Sequence, residues 1–150
     1  MLYFEDIGVG DFKASTDDYV LTAAEIIEFC GKWDPLPFHV DEQAAAATPV
    51  GKLFTSAVHS MAIAIRLGHQ MQIEPTATVM GLGWDEVRFR TPACVGDALR
   101  VRGEIIETRL SESQPGLGIV RSELKLTNQR GETVIEFKAA ALIRRRPQES

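Results

Sequence analysis

The spacing of hydrophobic residues changes character near Thr76. Before that point apolar positions fall at helical intervals: Ile26, Ile27, Phe29 and Cys30 form one stripe, with Thr22 as a helix-capping residue type and Glu25 three positions on, as in a capping box. A helix over about 22 to 33 is predicted. Trp33-Asp34-Pro35-Leu36-Pro37 ends it, because two prolines in three residues remove backbone donors and push their predecessors toward extended conformations. A rigid, non-helical loop is expected there. Asp41 to Ala47 reads as a short helix with an acidic start, broken by Pro49-Val50-Gly51. From Ser56 to about Met71, the apolar residues Ala57, Val58, Met61, Ala62, Ile63, Ala64, Ile65 and Leu67 run nearly all the way round, which predicts a buried helix that other elements must wrap.

From Thr76 onward the period shortens to two. The runs 76 to 90, 98 to 109, 117 to 128 and 132 to 145 contain alternations such as Val120/Ser122/Leu124/Leu126 and Ile135/Phe137/Ala139/Ala141/Ile143, and Asn128-Gln129-Arg130-Gly131 is a hairpin turn between the last two. With a strand near Tyr19 to Leu21, about five strands are expected, joined by connections short enough for antiparallel pairing. Helices first and strands afterwards signal an α+β domain in which a long central helix is clasped by a curved antiparallel sheet. No repeat, low-complexity tract or linker divides the chain, so residues 1–150 read as one domain. Its last stretch, 144–150, reads as a frayed end whose three arginines are solvated.

Composition excludes several function classes. Apolar residues make up 45% and charged residues 25%, ordinary for a globular domain, and the net charge of −5 argues against a nucleic-acid surface. Cys30 and Cys94 form no CxxC pair, so two buried free thiols are expected rather than a zinc or redox site. The acidic N-terminus does not read as a signal peptide, and Ala57 to Leu67, interrupted by His59, Ser60 and Arg66, falls short of the ~20 residues a bilayer helix needs. No membrane partner and a cytoplasmic location are the default expectations.

Four stretches resemble one family. Tyr3-Phe4-Glu5-Asp6-Ile7-Gly8-Val9-Gly10-Asp11, Trp33-Asp34-Pro35-Leu36-Pro37-Phe38-His39-Val40-Asp41, Gly81-Leu82-Gly83-Trp84-Asp85-Glu86-Val87-Arg88-Phe89 and Pro92-Ala93-Cys94-Val95-Gly96-Asp97 are similar to the MaoC-like acyl dehydratases and (R)-specific enoyl-CoA hydratases of the hot-dog fold. The most specific piece is Asp-x-x-Pro-x-His-x-Asp, in which the family's catalytic pair falls on Asp34 and His39. The resemblance implies reversible hydration of a 2-enoyl thioester carried by CoA or acyl carrier protein, with no metal or redox cofactor. It places the backbone N–H of Ser60 at the thioester oxygen, and implies a homodimer or higher even oligomer whose sheets pair edge to edge beside an acyl tunnel.

The chemistry wants these residue types for its own reasons. Hydration needs water to attack C3, a proton at C2, and a partner for the charge that gathers on the thioester oxygen. A carboxylate and an imidazole facing one water can manage both proton transfers, general acid and base work contributing ~10²–10⁴-fold. An unperturbed imidazole changes charge near neutrality, which is why histidine suits this work, and Asp34 either takes the proton or orients the water and holds the useful tautomer of His39. The prolines hold the two groups in place, and the first turn of a buried helix offers unpaired N–H groups to an oxyanion.

Other polar residues have simpler readings. Asp41 reads as a helix N-cap, His59 as a hydrogen-bonded core residue, His69 as a group favouring a helix C-terminus, and Trp84 as a strand packing residue. The chain departs from the family at Leu36, where Asn or Gln is usual, and at Ser60, where Gly or Thr is common. Two rivals follow: a hot-dog thioesterase, weakened because Ser56 to Met71 contains no Asp or Glu, and a non-catalytic unit that binds acyl thioesters.

Overall fold

The structure is a computed structural model that describes residues 1–148. Helix α1 (Ala23–Trp33) begins at Thr22, whose hydroxyl accepts from the Glu25 N–H at 3.2 Å. Only half of the expected capping box forms, because the Glu25 carboxylate turns toward Tyr19 and His59 instead. The loop expected after it is shorter than its prolines suggested. Pro37 opens a four-residue helix, α2 (Pro37–Val40), since a missing N–H and a fixed φ suit the first helical position. Helix α3 (Glu42–Ala46) is capped as expected by Asp41, which accepts from Gln43 N–H at 2.8 Å and Ala44 N–H at 3.3 Å. The long helix α4 (Ala57–Gln70) starts at Ser56.

Six strands follow the chain as β1 (Phe12–Ala14), β2 (Tyr19–Val20), β3 (Thr78–Phe89), β4 (Ala98–Leu110), β5 (Leu117–Thr127) and β6 (Thr133–Arg144). All pairs are antiparallel, in the order β1-β4-β5-β6-β3, with β2 also on β4. Strand β1 goes beyond the five expected; its three residues are all exposed, so no alternation marks it. The hairpin between β5 and β6 closes as predicted, with Gly131 N–H on the Asn128 carbonyl at 3.0 Å.

Helix α4 lies on β4, β5 and β6, and this is the hot-dog arrangement. Ile63, Ala64 and Leu67 meet Leu99, Val101, Leu126 and Phe137, every one of them buried. Each such large side chain contributes ~1.5–3 kcal/mol by leaving water. The expectation that α4 is enclosed on all sides is corrected: Val58, Ala62, Arg66 and His69 form an open stripe along one face, with Val58 59% exposed. Strand β3 is open as well. Every residue of it except Val87 is exposed, including Met80, Leu82, Trp84 and Phe89, because it is an edge strand with no further element among the described residues to cover it.

The chain is paired as far as Arg146, where a frayed end was expected. Arg145 N–H donates to Gly116 O at 2.9 Å, its guanidinium meets Glu5 at 2.9 Å, and Arg146 meets Asp6 at 2.6 Å. These are exposed pairs, screened by solvent, and each adds little to stability. Residues 149 and 150 of that stretch lie outside the described residues.

Candidate active site

Asp34 and His39 come together where α1 gives way to α2. Asp34 caps α1, its N–H donating to Cys30 O at 2.8 Å, and its side chain is 33% exposed. His39 is buried, its ring edge-on to Phe38 at 4.6 Å and to Phe54 at 5.0 Å. Nδ1 of His39 lies 2.8 Å from the Phe54 carbonyl oxygen. A carbonyl can only accept, so Nδ1 carries a proton, and in the neutral form of the ring the lone pair is left on Nε2. Nε2 faces Asp34 Oδ2 at 3.9 Å. That is too long for a direct hydrogen bond, but a water about 2.8 Å from both would touch them at an angle of about 90°. Phe54 O thus stands where it can hold the tautomer, a task the sequence had given to Asp34; taking a proton and orienting a water both stay open to that carboxylate.

The Phe54 carbonyl is itself held in place. Residues 53–55 run extended against 93–95, with Thr55 N–H on Ala93 O at 2.8 Å and Val95 N–H on Leu53 O at 2.9 Å. The turn that follows is closed by Asp97, only 1% exposed, which accepts from Cys94 N–H at 2.9 Å and from Gln129 at 3.0 Å. Gly96 takes φ +85°, a left-handed conformation that a side chain would strain. The Pro92–Asp97 string therefore braces the segment behind His39. Sequence reasoning missed Phe54, because a backbone carbonyl has no residue signature. Asp97 was visible within that string but carried no assigned role.

The start of α4 differs from expectation at one donor. Ser60 N–H bonds to Ser56 O at 3.1 Å, the first turn of the helix ladder, and His59 N–H is taken by the Ser56 hydroxyl at 3.2 Å. With Ser56 as the cap, Ser60 is the fourth helical residue and reaches the cap's carbonyl, so it is not an orphan. Among the described residues the N–H groups of Ala57 and Val58 have no acceptor, and they are the free donors of this turn.

Behind it lies a polar chain, buried at Thr55, His59 and Cys30 and partly exposed at Glu25 and Tyr19. His59 stacks on Phe29 at 4.3 Å, with Nδ1 2.5 Å from Thr55 Oγ1 and Nε2 3.2 Å from Glu25 Oε1, so its reading as a hydrogen-bonded core residue holds. Tyr19 O–H donates to the same carboxylate, and Cys30 Sγ lies 3.3 Å from Thr55 Oγ1. Burial holds the His59 pKa below 6.5 despite Glu25, and burial, aided by the Glu25 hydrogen bond, pushes Tyr19 up to about 12. At neutral pH the imidazole is therefore uncharged and the phenol protonated.

A pH dependence of stability follows for His59. Its folded-state pKa lies below the unfolded value, so between the two the unfolded chain binds the extra proton, and stability rises with pH up to 6.5 and falls as pH drops through it. Melting temperatures from about pH 5 to 7 should climb more steeply in the wild type than in His59→Gln. Equal slopes would show that burial of this imidazole does not set the trend.

Elsewhere, a groove of about 970 Å³ opens between the second half of α4 and the concave sheet, walled by Ile65, Gly68, Met71, Leu124 and Phe137. Trp84 also lines it, 55% exposed and edge-on to Phe137 at 6.1 Å, so it is less enclosed than a strand packing residue was expected to be. Asp34 and His39 do not line the groove. Among the described residues no three His, Cys, Asp or Glu side chains converge as metal ligands would, and no helix is long and apolar enough to cross a membrane. The two cysteines are free and buried, as expected.

Comparison with known proteins adds three kinds of likeness. Residues 10–127 match the MaoC-like domain family. The crystal structure of the MaoC-like dehydratase from Rhodospirillum rubrum superposes with a TM-score of 0.89 at 35% identity, over 99% of this chain and 100% of that one. Mesaconyl-CoA hydratase of Haloarcula hispanica is 38% identical over 66 residues, which are 43% of this chain. The 3-hydroxyacyl-thioester dehydratase Z of Mycobacterium tuberculosis is 28% identical over 103 residues, 68% of this chain. These matches span 18% of the hydratase and 65% of the dehydratase, less than two thirds of either relative.

Proposed function

Because the chain belongs to the MaoC-like domain family, we propose that it is a hydro-lyase that reversibly adds water to a 2-enoyl thioester of CoA or acyl carrier protein, giving the (R)-3-hydroxyacyl thioester. The observation that carries this reading is the pairing of Asp34 with an Nε2 lone pair of His39 across 3.9 Å, the separation that lets both groups hold one water. In the hydration direction His39 Nε2 takes a proton as the water oxygen bonds to C3. The C2–C3 π electrons move toward the carbonyl, and the thioester oxygen becomes enolate-like. The imidazolium then returns the proton to C2, so the enzyme ends as it began. Asp34 orients the water and stabilises the transient imidazolium. The free N–H groups of Ala57 and Val58 are the oxyanion donors in this scheme, in place of Ser60.

The groove beside α4 has mainly aliphatic and aromatic walls, a character that suits an acyl chain, but Asp34 and His39 lie outside its lining and the water chemistry is placed at that pair, not in the groove. The open β3 edge and the exposed stripe on α4 support a homodimer, in which a second copy pairs with the edge and covers the apolar residues. Against the thioesterase reading, the Glu25 carboxylate that meets His59 of α4 is already occupied by His59 and Tyr19.

Purified protein given a panel of enoyl-CoA substrates should bleach the enoyl conjugation band without releasing thiol, and light scattering should show a multiple of 16.5 kDa. Rapid thiol release would establish the thioesterase instead. Thioester binding with neither change would establish a non-catalytic binding unit.

A further inference from the structure

Apart from Asp34 and His39, a second cluster of polar side chains is the series Cys30, Thr55, His59, Glu25 and Tyr19, buried at Cys30, Thr55 and His59 and partly open to solvent at Glu25 and Tyr19. Its hydrogen bonds have a single consistent direction. The Glu25 carboxylate can only accept, so it takes the proton-bearing Nε2 of His59 and the hydroxyl of Tyr19. With the imidazole neutral, Nδ1 is bare and accepts from the Thr55 hydroxyl at 2.5 Å. The Thr55 oxygen, its own proton committed, is left to accept from the Cys30 thiol at 3.3 Å. Thr55, His59 and Cys30 are 4%, 3% and 0% exposed. Apolar side chains would fill this space without needing partners, so a fully satisfied polar chain here calls for a use.

The use lies one peptide bond away. The peptide that joins Phe54 to Thr55 points its carbonyl at His39 Nδ1, at 2.8 Å, and its N–H at Ala93 O, also at 2.8 Å. Any rotation of that peptide plane takes the carbonyl off His39. The Thr55 side chain is attached directly to it and is locked by His59, whose own orientation is set by Glu25 and by the stack on Phe29.

We propose that Thr55 and His59 are positioning residues for His39, with Glu25 setting the tautomer of His59, and that together they hold the Phe54 carbonyl where it keeps the His39 proton on Nδ1. The consequence for turnover rests on the hydro-lyase reading; the consequence for the His39 tautomer does not.

The test is a series at Thr55 read by two independent signals. In ¹⁵N-labelled protein the ring nitrogens of His39 should report an Nδ1–H tautomer in the wild type and in Thr55→Ser, which keeps the hydroxyl, and a mixture of tautomers in Thr55→Val, which keeps the shape and loses it. Turnover of an enoyl-CoA substrate should fall about 10- to 100-fold in Thr55→Val with KM little changed, and Thr55→Ser should restore it. His59→Phe keeps the ring stack and removes the acceptor of the Thr55 hydroxyl, so it should reproduce the tautomer mixture even if Thr55→Val fails to fold. A Thr55→Val or His59→Phe protein that melts lower but keeps the wild-type His39 signals would overturn the proposal and leave a purely structural cluster. An inactive wild type with these tautomer shifts intact would instead sink the hydro-lyase reading alone.

Discussion

Asp34→Asn should lower the turnover of enoyl-thioester hydration by at least ~10²-fold while leaving the melting temperature close to that of the wild type. Asparagine has the shape of aspartate, and the N–H that closes α1 on Cys30 O belongs to the backbone, so the helix end survives. What is lost is the negative charge 3.9 Å from His39 Nε2, and with it the group that orients water and steadies the imidazolium. The matching change is His39→Asn, whose amide nitrogen falls where Nδ1 stood and can still donate to Phe54 O, while Nε2 is gone. It should cost as much activity. Unlike Asp34→Asn it should also cost stability, about 1–3 kcal/mol, because the ring that packs on Phe38 and Phe54 is removed. The two together should cost little more than either alone, as expected of groups acting on one water. An Asp34→Asn protein that keeps more than a tenth of wild-type turnover would remove the pair from the chemistry.

Asp97→Ala should lower the unfolding free energy by about 1–3 kcal/mol. The carboxylate is buried and accepts from Cys94 N–H and the Gln129 amide. Truncation strands the buried Cys94 N–H, at about 1–3 kcal/mol, partly relieved if water enters, whereas the exposed Gln129 amide turns to solvent. Urea unfolding should show a lower midpoint at an unchanged m-value. Because the turn that Asp97 closes pairs with the segment carrying Phe54, the folded fraction should also lose turnover, which separates this variant from an ordinary core truncation. A loss below about 1 kcal/mol would mean that water replaces the carboxylate freely.

How much of this was legible in the chain depends on the range of the interaction. Helices α1, α3 and α4 and strands β3 to β6 were readable because caps, breakers and periodicity act within a few residues: Thr22 on Glu25 N–H, Asp41 on Gln43 N–H, Ser56 ahead of α4. Strand β1 was not, since three exposed residues hold no pattern and pair only because β4 is there. Asp34-Pro35-Leu36 is non-helical as expected, and the loop was over-read only at Pro37, because proline begins a helix as readily as it ends one. Glu25 was assigned to a capping box by spacing, and a buried imidazole 34 positions away outcompeted the local backbone for its carboxylate.

The sequence by itself determined the order of elements, the α+β class, and the presence of Asp34 and His39 five residues apart, because each of these is written in side-chain identity and local spacing. Only the tertiary structure decided which atom holds the tautomer of His39, which N–H groups at the start of α4 remain free, and which faces of α4 and β3 stay open. Those outcomes rest on backbone carbonyls and N–H groups, which every residue carries alike, and on which segments the folded chain leaves without a neighbour.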